Sequence, residues 1–156
     1  MKQNTTSEQQ ILPIESTFKE RFKGKFYGVL QWKQLNHIWD VVKSDKADSW
    51  FIYEVNLTPP SSTIKQQDIA LEINNIDHYL RKEHNEDYCG IVYADDLESP
   101  EFIKIFDPKS LGSSCSIAKT PPLPKWIISK VKPQDLTLAK EQTNKPERWL
   151  GNLFSK

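Results

Sequence analysis

Residues Tyr88–Pro108 read YCGIVYADDLESPEFIKIFDP, and the fold turns on this stretch. Two apolar runs, Cys89–Tyr93 and Phe102–Phe106, flank a polar loop that carries Asp95, Asp96, Glu98, Ser99 and Pro100. Short runs rich in Val, Ile, Phe and Tyr and bounded by Asp, Ser and Pro read as strands, here joined in a hairpin. Side chains alternate along a strand, which places Cys89, Ile91 and Tyr93 on one face and Gly90, Val92 and Ala94 on the other. Both faces are apolar, so the hairpin is expected at the centre of a sheet that is covered on both sides.

Upstream of the hairpin, Ile69, Ile73, Ile76 and Leu80 recur at helical spacing and predict a helix over Ile64–His84, its apolar stripe widened by Leu71 and Tyr79. Thr63 followed by Gln66 has the spacing of a capping box. Before it, Trp50–Val55 (WFIYEV) predicts a strand, stopped by the prolines of LTPPSS at Leu57–Ser62, which cannot continue a ladder. Leu35, Ile38, Trp39 and Val42 predict a shorter helix over Lys33–Lys43, closed by the charged turn SDKADS, and FYGVLQ at Phe26–Gln31 fits a short buried strand. Downstream, DPKSLGSSC is turn-rich and TPPLP favours polyproline II geometry. Trp126, Ile127, Ile128 and Val131 then supply a last edge strand, closed by Pro133. The expected class is α+β: a two-layer, mainly antiparallel sheet of about four or five strands with two helices packed on it. Parallel neighbours through right-handed βαβ crossovers in the first half remain an alternative.

The chain divides into a flexible N-terminal arm (1–17), a single α+β domain (18–132) and a polar linker with a short amphipathic C-terminal segment (133–156). A length of 156 residues suffices for one domain that buries a core without metals or disulfides. Hydrophobic residues make up only 37%, as expected if polar tails accompany a compact middle rich in Trp, Tyr and Phe. The formal net charge of zero argues against a general nucleic-acid coat or a membrane-surface protein. No apolar run approaches the roughly 18–20 residues of a membrane span, and MKQNTTSEQQ carries no secretory h-region. Cys89 and Cys115 form no disulfide framework, which points to cytoplasmic residence with free thiols, a single bridge between them being the alternative. The neutral total hides an asymmetry: Glu83–Asp107 holds eight acids and one lysine, and Lys119–Lys156 holds eight bases and three acids.

His84, Cys89 and Cys115 are the one grouping that resembles a reactive set. A nucleophilic cysteine needs an adjacent base and an electropositive setting, and the neighbours Glu83, Glu86 and Asp87 would raise a thiol pKa instead. There is no CxxC or HxxxH spacing for zinc, and His78 and His84 fall on different helix faces. Asp95, Asp96, Glu98 and Glu101 lack the spacing and the glycine of a calcium loop, so no metal and no cofactor are expected. Phosphate-cradling, nucleophile-elbow and metalloprotease motifs do not occur in the chain. Two features point to binding. Pro121 and Pro124 match PxxP, a polyproline ligand type. In RWLGNLF, Arg148 precedes Trp149, Leu150, Leu153 and Phe154, which share one helical face despite the cost of Gly151. The resulting expectation is a non-enzymatic interaction or adaptor module whose C-terminal segment docks a protein partner. Membrane association is excluded, nucleic acid is disfavoured, and a homodimer through the Trp126 edge is left open. The alternative is a small enzyme using a cleft at His84 and Cys89 near the Asp95/Asp96 loop.

Overall fold

The computed structural model describes residues 17–113 and 121–137. The strands are β1 (Tyr27–Val29), β2 (Phe51–Glu54), β3 (Val92–Ala94), β4 (Phe102–Ile105) and β5 (Trp126–Ser129), and the helices are α1 (Phe18–Phe22), α2 (Trp32–Ser44) and α3 (Gln66–Glu83). A 3-10 turn over Pro108–Ser113 follows β4. All strands join one sheet in the order β1-β3-β4-β5-β2, and every neighbouring pair is antiparallel. The fold is therefore α+β, as the sequence predicts, and the hairpin is central, with β4 the middle strand.

Four antiparallel steps leave β1 and β2 running the same way at opposite edges, so the parallel-neighbour alternative falls away; α2 carries the chain from one edge to the other. The expected edge strand at Trp126 is corrected as well. β5 lies between β4 and β2 and is laddered on both sides. Its Ile127 and Ile128 are both fully buried, one toward each face, which is the pattern of an interior strand. Among the described residues the sheet edges are β1 and β2, so Trp126 does not lie on an edge strand that a second copy could extend.

One face of the sheet is covered by the two long helices. Leu35, Ile38, Trp39 and Val42 from α2 and Ile69, Ile73, Ile76 and Leu80 from α3 pack on Val29, Val92, Ala94, Ile103, Ile105 and Ile128. Each Leu, Ile or Val side chain among them contributes about 1.5–3 kcal/mol on leaving water, before entropy is counted. Leu71 does not widen the stripe: it is 62% exposed. Nor does Thr63 cap α3. The N-cap is Lys65, and the Asp48 carboxylate, from the loop between α2 and β2, accepts the Gln66 N–H at 2.7 Å.

The opposite face carries a second cluster of Phe18, Tyr53, Val55, Phe102, Ile127 and Leu136, with Phe22, Phe26, Leu123 and Val131 around it. Its anchor is α1, which the sequence reading passes over. Thr17 Oγ1 accepts the Glu20 N–H at 3.2 Å and Glu20 Oε2 accepts the Thr17 N–H at 2.9 Å, a reciprocal capping box that starts the turn. Phe18 and Phe22, four residues apart, then face the sheet together.

The alternation expected for Cys89–Tyr93 holds only from Val92 onward. Gly90 has φ +69°, a left-handed conformation that glycine adopts without steric cost. That kink turns Cys89 and Ile91 into the same helix-side cluster as Val92 and Ala94. Among the described residues, no helix is long and apolar enough to cross a membrane.

Candidate ligand pocket

Strand β4 reads Phe102-Ile103-Lys104-Ile105, and its period of two puts Lys104 beside Phe102 on the face away from the long helices. Cross-strand pairing sets Tyr93 and Ile127 on either side of Lys104. A cavity of about 340 Å³ lies at this end of the sheet, lined by Phe26, Tyr93, Lys104, Phe106, Pro121 and Pro122, with Gly90 and Ile91 completing it. Tyr93 and Phe106 meet edge to face with ring centres 5.6 Å apart. Among the described residues, Lys104 is the single charged side chain of the lining.

The ammonium of Lys104 stands 4.0 Å from the ring centre of Phe22 and 3.8 Å from that of Phe26, and donates to the Phe22 carbonyl at 2.6 Å. Among the described residues no carboxylate comes within ion-pair distance of it. Burial lowers its pKa from the ordinary 10.5 to about 8, because the charged form has lost part of its water. The ring faces and the one carbonyl oppose that loss, and they leave two of its three N–H donors available. An amine in this setting can pair with an anion or react with an electrophile. Sequence reasoning missed it, although the signal was present: a lysine between two isoleucines in a strand buried on both faces is out of place unless its head group has a use.

The proposed catalytic grouping is arranged differently from a nucleophile and its base. His84 is the C-cap of α3 and is buried, and its Nε2 donates to the Cys89 main-chain carbonyl at 2.8 Å. Cys89 is a free, fully buried thiol, and burial pushes its pKa up. The hairpin acids are engaged in holding their own loop. Asp95 Oδ1 accepts the N–H groups of Glu101 and Phe102 at 2.9 and 3.0 Å, and its Oδ2 meets Arg21 of α1 at 3.1 Å. Asp96 Oδ1 accepts the N–H groups of Glu98 and Ser99 at 2.8 and 2.9 Å, which holds its pKa low. Among the described residues no three His, Cys, Asp or Glu side chains gather where they could hold a metal ion.

Of the PxxP pair, Pro121 is exposed at the cavity rim and Pro124 is buried, so the two are not presented together. Arg148, Trp149, Leu150, Leu153 and Phe154 lie outside the described residues, as does Cys115. No protein-family model matches the chain, and comparison with curated proteins and with solved structures yields no match either.

Proposed function

We propose that the chain is a non-enzymatic interaction module, cytoplasmic, whose C-terminal segment docks a protein partner through Trp149, Leu150, Leu153 and Phe154 with Arg148 at its start. What supports binding over catalysis is the geometry at His84 and Cys89. The imidazole is oriented by a main-chain carbonyl and the thiol is buried with a raised pKa, so the alternative enzyme lacks an accessible thiolate. The acids that would line its cleft cap backbone N–H groups and pair with Arg21. The tail, by contrast, joins an aromatic–aliphatic cluster to a basic stretch, the composition of interface anchors.

The test compares the full chain with its Trp149→Ala/Leu153→Ala/Phe154→Ala variant in affinity capture from native extract, followed by reconstitution with the purified partner. The reading requires a partner held by the first and lost by the second. Equal retention moves binding to the folded body, and capture of no macromolecule by either refutes the proposal.

A further inference from the structure

We propose that the cavity beside β4 is a binding site for a small apolar monocarboxylate, its carboxylate paired with the Lys104 ammonium and its hydrocarbon or aromatic body lying among Phe26, Tyr93, Phe106 and Pro122. The inference does not depend on how the C-terminal segment is used.

Charge complementarity selects the ligand class. The lining offers one cation and is otherwise aromatic, aliphatic or proline. The cation has two ring faces and a single carbonyl for company, and no counter-ion among the described residues. A half-buried ammonium is costly when unpaired, and an N–H···O⁻ bond to a carboxylate is among the stronger contacts it can make. A neutral apolar ligand would fill the volume and leave that cost standing. A phosphate ester would bring a second charge, for which this lining supplies no second cation among the described residues. A monocarboxylate with an apolar body answers both halves of the site. The cavity volume of about 340 Å³ is at the small end of the roughly 300–1,000 Å³ typical of small-molecule pockets, which limits the body to about one ring or a short branched chain. The lowered pKa of Lys104 fits the same picture, since a bound carboxylate replaces the water that the ammonium has lost.

The experiment titrates the full chain with hydrocinnamate and with its neutral twin, hydrocinnamyl alcohol, by calorimetry at neutral pH. Hydrocinnamate is expected to bind at least about tenfold more tightly than the alcohol, the scale of one hydrogen bond to a charged group. Lys104→Met should lose that advantage while still binding the alcohol. A second measurement needs no variant: acylation of Lys104 by an activated ester, located by peptide mass mapping, should slow with hydrocinnamate present and proceed unchanged with the alcohol. Should Lys104→Met fail to fold, this protection decides the matter alone. The proposal is overturned if the full chain binds no hydrocinnamate, if acid and alcohol bind alike, if Lys104→Met keeps the preference, or if bound hydrocinnamate leaves the acylation of Lys104 unchanged.

Discussion

Phe102→Ala is the substitution that most directly tests whether the second core holds the molecule together. Phe102 is fully buried on the central strand, and its ring centre lies 5.2 Å from that of Phe18, 6.5 Å from Phe22 and 5.6 Å from Phe26. Truncating a buried Phe to Ala costs about 3–5 kcal/mol, with the spread set by how far the site can collapse. Here collapse is restricted. β4 is laddered on both sides, and the Phe102 N–H is tied to Asp95 Oδ1 at 3.0 Å, so the main chain cannot sink into the void. Two of the ring neighbours belong to α1, a helix of five residues that is too short to persist without packing. The loss should therefore fall in the upper half of the range, about 4–5 kcal/mol, most of what a marginal domain has. Urea unfolding followed by far-UV circular dichroism gives the midpoint and slope for wild type, Phe102→Ala and the milder Phe102→Leu. Phe102→Leu, which refills part of the ring's volume, should lose clearly less than Phe102→Ala. Phe18→Ala should be nearly as damaging as Phe102→Ala, and the double variant should fall short of the sum, since both remove the same contact. A loss under about 1 kcal/mol for Phe102→Ala with unchanged slope would refute the reasoning, because it would mean that α1 and its phenylalanines do not seal this face.

Three further outcomes follow from the same geometry. In a Cys115→Ser background, native Cys89 should react with a thiol reagent more slowly than in urea by a factor on the order of a thousand, set by the opening free energy of a buried core; rapid native labelling would revive the enzymatic alternative. Gly90→Ala should cost about 1–2 kcal/mol in thermal or urea unfolding, because φ is +69° and a Cβ would sit 3.2 Å from the Tyr88 ring. Gly28→Ala should stay within about 0.5 kcal/mol, its nearest neighbours being at an ordinary 3.6 Å. Lys104→Met should raise the urea midpoint at pH 7, and the gap should narrow as pH rises from about 8 through 10.5. The sign follows from linkage: the folded pKa lies below the unfolded one, so the unfolded chain holds more protons in that window and wild-type stability climbs with pH. A gap that is constant with pH would show that the lysine titrates normally in the fold.

Much of the architecture was legible because it rests on period and punctuation. The stripe Ile69-Ile73-Ile76-Leu80 and the run WFIYEV each have one reading, and the structure places α3 and β2 within a few residues of it. The misses have local physical causes. α1 spans little more than one turn, too short for periodicity to register, and only the Thr17–Glu20 cap announces it. Thr63 had the right spacing for a cap, but a carboxylate from a distant loop, Asp48, took the Gln66 N–H instead. Trp126–Ser129 reads as an edge because prolines precede and follow it; those prolines stand outside the ladder and leave the strand free to pair on both sides.

The two faces of β4 explain why the candidate site was harder to find than the fold. Ile103 and Ile105 point into a helix-covered core that has no polar requirement, so hydrophobicity alone determines that side. On the other side the cover changes along the strand. Phe102 sits under α1, whereas one step further, at Lys104, the cover has thinned to Phe22 and Phe26 over a cavity. A leucine at 104 would have packed against those rings with no ammonium to desolvate, and stability alone would favour it. A lysine there keeps the cost of partial burial and gains from the rings only part of what water supplied. A fold optimised only for burial would not place a cation at this position, whereas a pocket that has to hold an anion would.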